Sequence, residues 1–305
     1  MNQQQPPTTS RSPQRPARAF TVIELLVVML ILGLLVAMSL TAFNSAMEQS
    51  RVSRTKAIIA KLDSLIMEKW ESYHSRSVPI KPIYLSDPTN KNNVRLAARN
   101  RLFALRELMR CELPHCQEDV QDAVSQIPSQ PALTRAYNRK APSGTWTSQW
   151  EEAECLYLII SCMRDGERSA LEFFTADEIG DIDGDGVKEI LDGWGQPIMF
   201  LRWAPGYAAD ATTPALSMQS ADTADSFDRL KVDSRSTDMD TTNNTFDLKP
   251  LIYSFGPDRD PTGIQLPDGP ASYDPFKLIL GKYIGTISDS AAVADNISNH
   301  YQEAE

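Results

Sequence analysis

Between Arg18 and Leu40 the sequence reads RAFTVIELLVVMLILGLLVAMSL, and no other feature limits the fold as much. From Leu25 to Leu40 there is no charge, and the stretch 20–43 supplies about the 20 residues that a membrane-spanning helix needs. Residues 1–19 are rich in Pro, Gln and Ser, and their charges, Arg11, Arg15 and Arg18, are all basic. The positive-inside rule therefore keeps this leader on the cytoplasmic side and sends the body across a single-pass anchor. A signal peptide has a shorter apolar core followed by small residues at a cut site, and none follows Leu40, so the anchor stays attached. The helical pattern then continues: Val52, Ile58, Ile59, Leu62, Leu65, Ile66, Trp70 and Tyr73 recur at steps of three and four, and no proline intervenes before Pro79. This predicts one helix from Phe20 to Tyr73, about 80 Å long, with a transmembrane part at 20–43 and an amphipathic continuation at 44–74.

Glu24 is the anomaly, because a carboxylate inside a spanning helix costs a few kcal/mol unless it finds a partner. A cut just before Phe20 creates an α-amino group that a neighbouring copy of the chain could offer to it. The plainer alternative is a signal anchor in which Glu24 sits at the membrane interface and reaches water.

The octapeptide Ala19-Phe20-Thr21-Val22-Ile23-Glu24-Leu25-Leu26, after a basic leader and before an apolar helix, resembles the prepilin signature of type IV pilins and type II secretion pseudopilins. The resemblance implies that prepilin peptidase removes the leader 1–19 by cutting between Ala19 and Phe20, where the family usually has Gly before the cut. It further implies N-methylation of Phe20 and pairing of Glu24 with the N-terminal amine of an adjacent subunit. The implied partners are other pilin-like subunits, prepilin peptidase, an inner-membrane assembly platform and membrane lipid, with the body outside the cytoplasmic membrane. The implied fold is α+β, pilin-like: a long N-terminal helix packed on a small antiparallel sheet, with additional helices.

The net charge is −10 with three positive charges in the leader, so the remaining chain carries −13. A body this acidic lacks the basic footprint of nucleic-acid binding. Four cysteines could pair in an oxidising compartment, with Cys111 and Cys116 as the candidate disulfide, or remain buried thiols. Cys155 and Cys162, two turns apart on a helix, lie roughly 10 Å from each other along the axis, too far to bond.

The span 75–179 reads as an insertion of helices and loops. Prolines 79, 82 and 88 mark 75–93 as loop, VRLAARNRLFALRELMR from Val94 to Arg110 as a helix with a solvated Arg-rich face, and 128–147 as loop again. SQWEEAECLYLIISCM, Ser148 to Met163, reads as a buried helix with Ser148 as N-cap and acids in its first turn. His115 between Cys111 and Cys116 invites zinc, but a structural site needs about four ligands and no further Cys/His pair completes it. His74, His115 and His300 are scattered, and no catalytic triad is legible.

The final span, 180–305, opens with DIDGDGVKEILD, Asp181 to Asp192. Oxygen ligands fall at positions one, three and five (Asp181, Asp183, Asp185), glycine at six (Gly186), a backbone carbonyl at seven (Val187), Glu189 at nine and Asp192 at twelve. This is the spacing of an EF-hand-like calcium loop, with Lys188 where an apolar residue is usual and Asp192 shorter than the usual glutamate. The alternative is an Asp/Gly turn that holds no metal. Two strands follow, at about Ile198–Trp203 and from Leu251. The order Asp-x-Trp-Gly-x-Pro, strand, long loop, strand, Ser-x-Gly-x-Asp resembles the C-terminal sheet of G-type pseudopilins. That resemblance implies a calcium ligand at Asp258 and assigns the segment from Asp289 onward to closing the sheet. Trp194 and Pro197 read as packing and turn residues. Residues 205–248, acidic and rich in Ala, Ser, Thr, Asp and Asn, read as a long insertion that is mobile or partly disordered. The expectation is a structural filament subunit, a pseudopilin, and the alternative is a minor pilin-like adhesin at a filament tip.

Overall fold

The computed structural model describes residues 21–81, 93–141, 146–207, 219–220, 223–233, 235, 245–267, 275–276 and 283–300. The leader, Ala19 and Phe20 lie outside them. Two units are distinguished, Met1–Gln49 and Ser50–Glu305, and the first helix, α1 (Val22–Ser72), contributes to both.

In the first unit α1 is apolar on every side, as the uninterrupted Leu, Val, Ile and Met content dictates. Val22 through Phe43 remain exposed, and an 18-residue window of the helix has a mean hydropathy of 2.8 with no part buried in the protein. The two hydroxyls in this stretch bond back to the helix, Ser39 Oγ to the Leu35 carbonyl and Thr41 Oγ1 to that of Met38, so neither needs water.

In the second unit α1 becomes one-sided. Thr55, Ile58, Ile59, Leu62, Leu65, Ile66 and Trp70 are buried, matching the apolar period, and Tyr73 is buried just beyond the helix. Glu112 fixes that end: its carboxylate accepts from Tyr73 Oη at 3.0 Å and from both Arg76 terminal nitrogens, and Lys69 Nζ lies 2.7 Å away.

Helix α2 (Val94–Glu112) starts where Asn93 accepts from the Leu96 N–H. Its C-terminal half is not the solvated Arg face expected. Arg106 and Arg110 are buried, because acidic partners arrive from distant segments. Arg106 pairs with Asp225 at 3.0 Å and Asp233 at 2.9 Å, and Phe227 packs on Trp70 and His74. The described residues between 223 and 233 thus dock on the core, contrary to a wholly mobile insertion at 205–248.

A short helix α3 (Gln117–Gln121) leads to α4 (Ala132–Lys140), which corrects the loop expected at 128–147. Pro131 sets its entry, and Tyr137 donates to the Glu112 carbonyl at 2.8 Å. Helix α5 (Glu151–Cys162) begins later than expected: Trp150, left-handed at φ 63°, occupies the N-cap position instead of Ser148. Glu151, Glu152 and Glu154 stand in its first turn.

The sheets are small and antiparallel. β1 (Arg164–Asp165) pairs with β2 (Arg168–Ser169), and β3 (Ile179–Gly180) pairs with β4 (Glu189–Ile190). In the third sheet β5 (Met199–Leu201) pairs with β6 (Leu251–Ser254), and β6 with β7 (Ile297–Ser298). Helix α5 packs on β4 and β5, and every β5 and β6 residue is buried. The expected strands and the closing segment are therefore present, on the pilin-like α+β plan. All four cysteines are free thiols, and Cys111 and Cys116, both buried, are not bonded to each other.

Candidate functional site

Two regions carry chemistry. The first is the start of α1. Thr21 N–H and Oγ1 donate to Glu24 Oε2 at 2.8 and 2.9 Å, and the Glu24 N–H donates to Thr21 Oγ1 at 3.3 Å. This is a capping box, which satisfies two of the orphan N–H groups at a helix start. The hydrogen bonds of the Glu24 carboxylate in the described chain are all to Thr21, and it is exposed on an apolar helix.

The second region is the hairpin between β3 and β4. Asp181 folds it: Oδ1 accepts from Gly184 N–H at 2.8 Å and Oδ2 from Gly186 N–H at 3.2 Å. Both glycines have positive φ, 78° and 96°, a conformation that side chains disfavour. Asp185 Oδ1 accepts from the Val187 N–H at 2.8 Å. Thr147 braces the loop from outside, donating through its N–H to Asp185 at 2.6 Å and through Oγ1 to Asp183 at 2.7 Å.

The carboxylates of Asp181, Asp183 and Asp185 each place an oxygen within 4.8 Å of the others. A second set of three, Glu154, Asp183 and Glu189, converges equally closely. Glu189 is held by the Ile182 N–H on Oε2 at 3.0 Å, and Glu154 by the Trp146 indole N–H on Oε2. Burial pushes the Glu154 carboxyl up to about 9, opposed by the Trp146 bond and reinforced by Asp185, Asp183 and Glu189. Burial likewise pushes Glu189 up to about 7, opposed by the Ile182 bond and reinforced by Asp183 and Asp181.

Asp192 is not with them. Its Oδ1 accepts from the Trp194 and Gln196 N–H groups at 2.8 and 2.9 Å, and its Oδ2 from the Ser254 hydroxyl at 2.6 Å. It organises the Trp-Gly-x-Pro turn and ties it to β6, and it joins neither acidic group of three. Val187, within the hairpin loop, is buried. Asp258 stands apart in the exposed turn after β6, where its carboxylate accepts from the Asp260 N–H at 3.0 Å. It joins no group of three metal-ligand residues among the described residues. Glu154 was not foreseen, since it belongs to another element. In the sequence it is one of three acids in the first turn of α5, Glu151, Glu152 and Glu154, and nothing in their spacing singles it out.

A third group, His115, Cys116 and Asp119, is fully buried. Asp119 Oδ2 accepts from Arg202 at 2.6 Å, and Arg110 lies 3.5 Å from Oδ1, so two guanidiniums already neutralise the carboxylate. That environment repels a metal cation.

Residues 14–40 match the family model described as the prokaryotic N-terminal methylation motif. No curated protein and no solved structure matches the chain. The match spans the end of the leader, Glu24 and most of the apolar stretch, so the chain carries a prepilin-type motif at the head of a pilin-like α+β framework.

Proposed function

We propose that this protein is a pilin-like structural subunit, a pseudopilin of a type II secretion or type IV pilus-like filament, rather than an adhesin. Prepilin peptidase cuts between Ala19 and Phe20, Phe20 is N-methylated, and the subunit waits in the inner membrane until an assembly platform extracts it. The observation that supports this most is the helix from Val22 to Phe43, exposed on all sides, with one carboxylate, Glu24, near its start. Such a surface is stable in lipid or against identical helices, and in neither setting does the carboxylate have a cation of its own. The free amine of Phe20 in a neighbouring subunit supplies that cation. Pairing then lowers the cost of leaving the bilayer and selects the axial register of neighbours.

Mass spectrometry of the N-terminal peptide, on protein from its native membrane, tests the reading first. A chain beginning at N-methyl-Phe20 supports it; a chain retaining residues 1–19 overturns it. Glu24→Ala in full-length protein should leave membrane insertion intact and reduce cross-linked oligomers tenfold or more.

A further inference from the structure

We infer that the β3–β4 hairpin and helix α5 together form a binding site for a hard divalent cation, calcium, in which Glu154 and Glu189 are ligands and Asp192 is not. This stands independently of filament assembly. Glu154 and Glu189 are both 0% exposed. In each, Oε2 is held by a protein N–H, while Oε1 has no hydrogen-bond partner among the described residues. These two glutamates, each with a buried unpartnered oxygen, converge with Asp183, which also belongs to the more open set with Asp181 and Asp185. Buried carboxylates this close require either a proton or a cation between them. Three observations favour the cation.

All the donors are oxygens, with no imidazole or thiolate, which suits calcium or magnesium and not zinc or copper. The donors arrive from a glycine-containing loop and two separate elements, a set flexible enough for the six to eight ligands that calcium takes. Moreover Asp183 sits between the two acid groups, so an ion there touches the exposed loop and the buried glutamates together. The site departs from the twelve-residue loop pattern because the closing glutamate comes from α5, about 30 residues before the loop, instead of from position twelve. Calcium would then join α5 to the hairpin and so stiffen the face on which α5 meets β4 and β5.

The test uses the full-length chain in detergent micelles. Terbium, a luminescent stand-in for calcium, should be sensitised by Trp146, whose indole N–H bonds Glu154, and calcium should displace it. The thermal midpoint should rise by several degrees between EDTA and millimolar calcium. Glu154→Gln and Glu189→Gln should each weaken calcium binding at least tenfold while melting in EDTA no lower than the unaltered chain, since each removes an uncompensated buried carboxylate. A merely structural glutamate would instead lower the midpoint in EDTA and leave calcium binding unchanged, which would overturn the assignment. Absence of both terbium luminescence and a calcium-dependent midpoint in the unaltered chain would also overturn it, leaving a shared proton as the explanation. Should either variant fail to fold, Asp183→Asn, at a half-exposed position, carries the same test.

Discussion

At the scale of single residues, the buried charges decide stability. Arg202, directly after β5, has no exposed surface; it donates to Asp119 and, at 2.8 Å, to the Leu113 carbonyl, while its guanidinium lies 4.2 Å from the Trp203 ring centroid. Asp119 is the carboxylate that balances both Arg202 and Arg110. Asp119→Asn should therefore cost about 3–5 kcal/mol in urea unfolding, the range for breaking a buried ion pair. Arg202→Met should cost less, because Arg110 remains beside Asp119. His115, in the same cluster, is held neutral: burial and the neighbouring Arg202 push it down to about 3, against the pull of Asp119. Its folded value lies below its unfolded one, so the unfolded chain takes up a proton that the folded chain refuses. Stability is whole above about pH 6.5 and falls as the pH drops towards 3, by at most about 1.4 kcal/mol per unit from this one group. The difference between the unaltered chain and His115→Leu, measured across that window, should carry this slope. None of this was legible in the sequence. Arg106 and Arg110 looked like a solvated face because helical periodicity records spacing along one element and is silent about acids contributed by residues 119, 225 and 233. Asp192 shows the complementary limit: loop spacing places it at position twelve, and is silent about the backbone turn and Ser254 that bond to both its oxygens in the fold.

Whole elements were read more easily. The long helix, α5 and the β5 and β6 strands follow from apolar periodicity and short apolar runs bounded by turn residues, which act locally. Helix α4 was missed because a stretch rich in Pro, Ser and Thr has weak local preference, and its helix depends on Thr134 and Tyr137 reaching α2. Where elements meet, space is tight. A Cβ on Gly193 would lie 2.5 Å from the Arg51 carbonyl oxygen and 2.9 Å from its Cα, while the Gly193 N–H donates to Thr55 Oγ1 at 2.9 Å. The Trp-Gly-x-Pro turn is pressed onto α1, and backbone cannot yield as a side chain can. Gly193→Ala should destabilise by about 1–3 kcal/mol, the usual cost of overpacking, and hydrogen exchange should localise the loosening to residues 192–197. A second joint depends on Glu107, whose carboxylate gathers the N–H groups of Ser125, Gln126 and Ile127 at 2.6 to 2.8 Å. Glu107→Ala should cost about 3 kcal/mol or more, since charged hydrogen bonds are worth roughly 1.5–3 kcal/mol each and the freed N–H groups are partly buried.

For the whole molecule, the class was legible because it rests on one long-range pattern, an apolar helix with a single early carboxylate, that no local ambiguity can disguise. The body was only partly legible because its core is assembled by contacts far apart in sequence. The last described segment shows this most plainly. Asn299 exchanges hydrogen bonds with the Ile252 backbone and donates to Asp63 of α1 at 2.8 Å, while Ile297 and Ser298 form the edge of the three-stranded sheet. Synthesis is vectorial, so for as long as residues 297–299 have not been made, β6 presents an open edge and α1 lacks this contact. Contacts of such separation form slowly, and a stalled or truncated chain would show its unpaired strand to every other copy crowded along the same membrane. Ending the chain before Ile297 should raise the aggregated fraction in pulse-chase extracts well above that of Asn299→Ala. Residues 297–299 thus act as a completion check on helix and strand made long before them, withholding a finished surface until they too have been delivered.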